Sequence, residues 1–390
     1  MQKLLARYDL RIIALALIFT YVISIVGITL FIDEPIQDFS AFYTSSQMVW
    51  QGLSDQVYDL NAYVAHTKLL FPEGGSYAWF YPPTTLLAIT PLALLPPFVC
   101  YLIMVFGQLV LFGVLVYRYF RKLNIVLFTL AGSALLLNAI YSQFGILWAS
   151  FLLLALQALK QGEQTKAGFW LAMLSLKPHY AIMIPFALVA AKQWRCIAVT
   201  SVLIVSMALT SLLVFGVDTW TAFWDALTLT SATMQDPEAF FGFNPIGMTN
   251  VFSFAQLLGL PIWLRWTFQG MVVVICGYAV FHTWQQNNYN FAWKAALLAL
   301  ATIISMPWSF TYDMVLLNLW LAYLLVLFPQ RQGLNQNNNH GQLIVLWLLP
   351  LIILTLSLQE WFPGGMSNIL LLWPVWIMWQ MRQSSVLKSV

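Results

Sequence analysis

The sequence predicts an all-α polytopic membrane protein, and three observations carry that reading. Of 390 residues, 61% are hydrophobic and only 8% are charged, against roughly 25% charged in soluble domains. Apolar runs recur from one end of the chain to the other, which puts the whole chain in the bilayer rather than a soluble core on an anchor. The runs are continuous and do not alternate. Inside lipid every backbone polar group needs an internal partner, so continuous runs call for helices and alternating ones for a closed barrel.

Taken in order, the runs predict about twelve spans, at roughly 12–32, 97–119, 124–141, 143–160, 165–177, 178–192, 196–216, 262–284, 291–307, 311–328, 342–358 and 367–382. The first follows a basic start, MQKLLARYDLR, as a secretory signal would. It is too long for a signal's apolar region and no small-x-small cleavage site follows, so it is expected to stay as a span. The run 83–96 lies between Pro82-Pro83 and Pro96-Pro97. It falls short of the roughly twenty residues a crossing needs and is expected to be short or re-entrant. Cys100, Cys196 and Cys276 all sit in apolar runs and read as packing residues, with neither a disulfide nor a metal site expected. A net charge of +3 gives no reason to expect a nucleic-acid partner.

Basic residues set the orientation. With 83–96 not crossing, fourteen of the seventeen fall on one side: Lys3, Arg7, Arg11, Arg118, Arg121, Lys122, Lys160, Lys166, Lys192, Arg195, Lys294, Arg331, Arg382 and Lys388. Counting 83–96 as a crossing breaks the pattern at Arg118. Both termini are therefore expected in the cytoplasm. Twelve of the fourteen carboxylates fall on the other side, leaving Asp9 and Glu163 inside. Carboxylates contribute little to topology, so a solvated acidic rim and a functional outer face are both open. The expected organisation is one transmembrane domain over 1–390. A first outer loop at 33–82 carries interfacial helices, a second lies at 217–261, and RQGLNQNNNHG at 331–341 reads as a flexible cytoplasmic loop. Long loops are where function concentrates.

The first outer loop opens with Asp33, Glu34 and Asp38, directly after the first span. In the stretch that follows, Phe39, Phe42, Tyr43, Ser46, Val49 and Trp50 share one helical face, which predicts a helix lying in the interface with its aromatic side down. Asp38 then stands at its N-cap. Two compatible readings follow: an oxygen that takes an orphan helix N–H, or a carboxylate held at the lipid–water boundary as a general base toward a hydroxyl. Tyr77, Trp79, Phe80 and Tyr81 precede the first proline pair. They read either as an aromatic belt before a helix start or as a wall for a sugar or polyprenyl chain.

Lys177, in LSLKPHYAIMIP, falls between two apolar runs at their outer end. A lysine near the membrane either snorkels to water or serves a purpose that offsets its cost. With His179 beside it and Pro178 breaking the helix, it suits an anionic phosphate. Arg265 in LPIWLRWTFQG is either an interfacial anchor or a further phosphate ligand. Asp313 in SMPWSFTYDMVLLNLW is a helix-start carboxylate or a site residue. Asn138, Ser142 and Gln143 form an outer turn, as polar ligands or as plain turn residues. His66, His282 and His340 lack metal-ligand spacing.

In series, these segments resemble glycosyltransferase family 87. QDFSAFYTSSQMVWQGLSDQVYD resembles its first-loop pattern and FYPPTTLLAITPLALLP its Tyr-Pro-Pro segment. LKPHYAIMIPFALVAAKQW resembles its Lys-Pro segment, GFNPIGMTNVFSFAQLLGLP its second outer loop, and SMPWSFTYDMVLLNL its Tyr-Asp segment. The resemblance implies a GT-C type membrane fold and an enzyme that moves a sugar, mannose first and arabinofuranose second, from a polyprenyl-phosphate carrier with inversion. It implies Asp38 as the catalytic base, and Lys177 and Tyr312-Asp313 as motif positions. Members often carry a histidine before Tyr-Asp; here the stretch reads PWSFTYD, which leaves His179 as the candidate histidine. The expected site is therefore Asp38 as base, Lys177, His179 and Arg265 at the donor phosphate, and Phe42, Tyr43, Tyr81, Gln143, Tyr312 and Asp313 lining the substrate. No cofactor or metal is expected. The expected partners are the lipid-linked donor, a glycolipid, glycan or protein acceptor, and the bilayer of a bacterial cytoplasmic membrane, with the site on its outer face. A transporter or flippase of lipid-linked sugars is the alternative.

Overall fold

A computed structural model describes residues 9–31, 37–72, 79–233, 248–327, 336–358 and 369–383. Among them the chain is helical and forms no strand; Met248 and Phe310 make an isolated antiparallel bridge. The helices are α1 Leu10–Phe31, α2 Gln37–Trp50, α3 Leu60–Leu70, α4 Pro83–Ile89, α5 Pro97–Phe120, α6 Leu123–Leu130, α7 Ser133–Ile140 and α8 Gly145–Lys160. There follow α9 Gln164–Met173, α10 Ile184–Ala190, α11 Trp194–Thr233, α12 Val251–Leu257, α13 Ile262–Gln285, α14 Phe291–Ser305, α15 Val315–Leu327, α16 Gln336–Ser357 and α17 Leu372–Gln383.

Among the described residues four helices are long and apolar enough to cross a membrane: α1, α5, α11 and α13. Taken as one broken span, α6 and α7, bent by 54°, make a fifth. The remaining expected runs fall on apolar helical stretches of 10–17 residues, Gly341–Ser357 within α16 among them, below the roughly twenty of a simple crossing. A count of about twelve crossings therefore goes beyond what helix length establishes. The shortening has a local cause. Gly132 separates α6 from α7, and Pro178 follows the end of α9, so both runs are interrupted where backbone groups turn toward polar partners inside the protein.

Burial sorts these helices. Only 17% of α1, 6% of α11 and 17% of α13 lie inside the molecule over their apolar windows, leaving broad apolar faces such as Val202, Leu209 and Leu213 exposed. Helices α14 and α15 pack on each other and on α8, α6 and α13. Leu316, Trp320 and Ala299 at their centre are fully buried.

A second core forms around α2. The sequence reading laid its aromatic face against lipid. Instead Phe39, Phe42, Tyr43, Ser46 and Val49 are buried in protein, packed with Tyr63, Trp79 and Tyr101, and only Trp50 of that face is exposed. Periodicity identified the apolar face correctly but not what covers it. The covering segment is the proline-bounded run. It is short as expected, with α4 followed by a 3₁₀ turn at Thr90–Leu94 packed against α2. Tyr43 fastens it by donating from its hydroxyl to Leu95 O at 3.0 Å.

The second outer loop was expected from 217 on, yet α11 continues to Thr233 after a kink at Gly216. There φ is 82°, a left-handed value that glycine adopts without strain. Helix α16 starts at Gln336, inside the stretch expected to be a flexible loop, while 331–335 lie outside the described residues. Asp33, Glu34 and Tyr77 also lie outside them.

The two ends of the bundle differ in charge. Helix α8 runs from Gly145 to Lys160, 16 residues, or about 24 Å. At its far end Lys160 Nζ lies 5.6 Å from the centre of the Tyr119 ring, and Cys196 N donates to Gln164 Oε1 at 3.3 Å. The turns carrying Arg118, Arg121, Lys122, Lys166 and Arg195 thus gather there.

Asn318 holds the α6–α7 break, donating from Nδ2 to Thr129 O at 2.7 Å and Gly132 O at 3.3 Å. Asn318→Leu should leave these carbonyls only their long backbone bonds, from Gly132 N at 3.4 Å and Leu135 N at 3.2 Å, and cost on the order of 1 kcal/mol of stability. Denaturant or thermal unfolding in detergent checks this; an unchanged midpoint would mean the break is held otherwise.

Candidate active site

The site stands at the Gly145 end of α8. The loop between α7 and α8 places Gln143 there, with Ser142 at φ 52°. Gln143 is buried. Its Nε2 donates to Asp38 Oδ2 at 3.0 Å, and its Oε1 accepts from the Tyr81 hydroxyl at 3.2 Å. Asp38 lies in the first turn of α2 rather than ahead of it as an N-cap, and its carboxylate points to Gln143. Phe42, one turn on, meets Trp79, Tyr81 and Phe144 ring to ring at 5.5, 5.3 and 4.7 Å.

Lys177 also stands at Tyr81. Its Nζ is 6.0 Å from the Tyr81 ring centre, 5.3 Å from that of Tyr180 and 5.5 Å from that of Tyr312. Lys177 is neither snorkelling nor a free cation: it is 5% exposed and ion-paired with Asp313 Oδ1 at 2.6 Å. The residue before a proline is pushed out of the helical region, and Lys177 has φ −134° and ψ 80° between two 3₁₀ turns, which turns its side chain inward. Asp313 fulfils both sequence readings at once. Its Oδ2 accepts from Phe310 N at 3.1 Å as a helix-start carboxylate does. Its Oδ1 takes Lys177 and the Tyr180 hydroxyl, the latter at 2.9 Å. Tyr312 is fixed from the α7 side, where Asn138 Nδ2 donates to its carbonyl at 3.2 Å.

His179 is half-buried, with its ring 5.5 Å from that of Tyr180. Its Nε2 is buried with no hydrogen-bond partner among the described residues. Tyr43 is buried and serves the α2 packing described above. Arg265 lies at the start of α13, where its Nε donates to Leu260 O at 2.6 Å. Its neighbour Trp266 packs with Phe252 and Trp308. Among the described residues no ion pair or hydrogen bond joins Arg265 to the Lys177 group. No group of three His, Cys, Asp or Glu that would hold a metal ion occurs among them either.

Burial pushes the Asp38 carboxyl up to about 6, against the opposing pull of Gln143 and Lys177 and with a smaller push from Asp313. The residue is half-buried. At neutral pH it is mostly ionised and basic enough to accept a proton.

Glycosyltransferase family 87 matches residues 79–307, more than half of the chain. The chain belongs to glycosyltransferase family 87. The glycosyltransferase match takes in Tyr81, Gln143, Lys177, His179 and Arg265; Asp38, Tyr312 and Asp313 lie outside it. Comparisons with curated proteins and with solved structures gave no match.

Sequence reasoning passed over Tyr180 and Gln108. Tyr180 sits inside the Lys-Pro segment, three residues after the lysine. Gln108 is a lone amide in the apolar run FGQLVLF, and a polar residue in such a run is the available signal.

Removing one member of a buried ion pair strands the other. Lys177→Met and Asp313→Leu should each destabilise the glycosyltransferase by about 3 kcal/mol, and the double variant should recover most of that. Unfolding midpoints in detergent test it. A Lys177→Met protein as stable as the original would contradict a buried pair.

Proposed function

We propose that the glycosyltransferase takes its sugar from a polyprenyl-phosphate carrier and passes it, with inversion, to an acceptor hydroxyl. One observation carries the reading. The Asp38 carboxylate and the Lys177–Asp313 pair both reach Tyr81, one through Gln143 and the other with Lys177 Nζ 6.0 Å from the ring centre. A base and a cation so joined suit a reaction that takes a proton at one point and releases a phosphate at another.

In this mechanism Asp38 removes the acceptor's hydroxyl proton. The oxygen's electron pair forms the bond to the anomeric carbon as the bond from that carbon to the carrier phosphate breaks. The bonding pair leaves with the phosphate, and attack from the opposite face inverts the carbon. The leaving group is already an anion, so preorganised N–H donors answer its charge without a general acid. An ammonium offers three donors and Asp313 takes one; Lys177 and His179 are the proposed phosphate ligands. Arg265 takes the anchor reading, held on Leu260 beside a separate aromatic group. Phe42, Tyr81, Gln143 and Tyr312 line the sugar. Mannose is the proposed sugar ahead of arabinofuranose, and the acceptor is a glycolipid, a glycan or a protein.

The basic turns gather at the Lys160 end of α8 and the candidate site at the Gly145 end. The positive-inside rule then supports a site on the outer face of a bacterial cytoplasmic membrane, with both termini inside. A transporter or flippase has less support. Its binding charges stand at the bilayer midplane in repeated broken helices, and family membership points to transfer chemistry.

Asp38→Asn should lower transfer from a synthetic polyprenyl-phosphate sugar by at least about 100-fold with donor binding kept. Activity equal to the original would remove Asp38 as the base. Because burial raises this carboxyl to about 6, the proton-accepting form is present above that pH and lost below it. The rate should be flat at neutral pH and fall as pH drops through about 6; a rate level down to the ordinary carboxylate range would contradict the assignment.

A further inference from the structure

We infer that Gln108 is a positioning residue, which holds the turn carrying Gln143 and so aims the Asp38 carboxylate. The inference rests on the reading of Asp38 as the base.

Gln108 lies within α5 and is 6% exposed. The helix is irregular there, since Ile103–Gly107 winds as a π turn. Such a turn disturbs the usual carbonyl pairing, and insertions of this kind gather at functional sites. The Nε2 of Gln108 donates to Met104 O, on the turn itself. The rest of the amide reaches across to another helix. Nε2 donates to Gln143 O at 3.1 Å, and Oε1 accepts from Leu147 N at 3.0 Å.

Leu147 stands in the first turn of α8, where N–H groups have no partner within their own helix. Gln108 therefore caps α8 from outside and fixes the Gln143 peptide in the same step. This leaves the Gln143 side chain set for Asp38 and Tyr81. The turn needs such support, because Ser142 at φ 52° occupies a region costly for a residue with a side chain.

Asn138 does the matching work on the other side. Its carbonyl accepts from Gln143 N at 3.0 Å, its Oδ1 accepts from Ile146 N at 3.4 Å, and its Nδ2 reaches Tyr312 O. Asn138 thus ties the turn toward the ion pair and Gln108 ties it to α5. An amide in an apolar run is costly unless its bonds are used. Here one bond goes to Gln143, the residue that touches Asp38, and another to the first turn of the helix that follows it.

The test uses the full-length protein in detergent, with Gln108→Met, Gln143→Leu and the double variant. One readout is kcat and donor KM for sugar transfer. The other is the pH midpoint of Asp38 labelling by a water-soluble carbodiimide, followed by mass spectrometry, which needs no substrate. Gln108→Met should lower kcat on the order of tenfold with KM unchanged. It should also move the labelling midpoint upward, as Gln143→Leu does, because a bond favouring the charged form is lost. In the Gln143→Leu background it should add no further shift. A midpoint unmoved by Gln108→Met, or two shifts that add, overturns the inference.

If Gln108→Met does not fold, amide exchange in the unaltered protein decides. Slow exchange at Leu147 supports the cap, and exchange as fast as at an open helix start overturns it. Full activity in Asp38→Asn alongside coupled midpoints would remove the base and leave the coupling standing, so the two failures are distinguishable.

Discussion

The side-chain amide of Gln143 spans the seam between the two cores, and the candidate site depends on it. On one side lies the aromatic core under α2, which fixes Asp38. On the other lies the helix bundle that buries Lys177 and Asp313. Gln143 donates to the first and, through the Tyr81 hydroxyl, reaches the second. An amide suits that position because it donates and accepts at once without charge. Thr85 Oγ1, donating to Leu176 O at 2.8 Å, makes a second tie between the two sides, and Gln143 adds the tie that touches the base itself.

The bilayer explains why the bridge is built from turns. A regular helix satisfies its own backbone and has nothing to offer a substrate. Only where a helix stops do N–H and C=O groups become free. The described chain stops repeatedly at one end: after α7, before α8, around Lys177 and before Asp313. At these stops side chains take up the loose groups: Asn138 and Gln108 at the start of α8, Thr85 at Leu176, and Asp313 at its own turn, as Asn318 does at the α6–α7 break. The lipid-facing helices α1, α11 and α13 keep their length because nothing inside the protein asks them to break, apart from the glycine kink in α11. Short helices at the core and long ones at the rim are two outcomes of the same constraint.

The sequence made the fold class legible because apolar runs report directly on what surrounds a chain in lipid. Asp38 was legible as an acid placed directly after the first span, and Lys177 as a cation away from the basic turns. Their partners were not. Asp313 lies 136 residues from Lys177, and no local pattern announces a pair across that separation. The face of α2 was read correctly while its covering was not, since a helical period says which side is apolar and not whether lipid or protein meets it. The extent of α11 was missed because Gly216 and the polar residues after it look like the end of a span, whereas the glycine bends the helix and lets it continue. Gln108 was overlooked because a single amide among apolar residues reads as noise until its partners are seen.

The most direct measurement of the central claim is an experimental structure with a non-hydrolysable polyprenyl-phosphonate sugar bound. The account predicts the phosphonate beside Lys177 and His179, the sugar against Tyr81, and the anomeric carbon turned toward the Asp38 carboxylate. A ligand seated away from Tyr81, or an Asp38 walled off from the bound sugar, would contradict it.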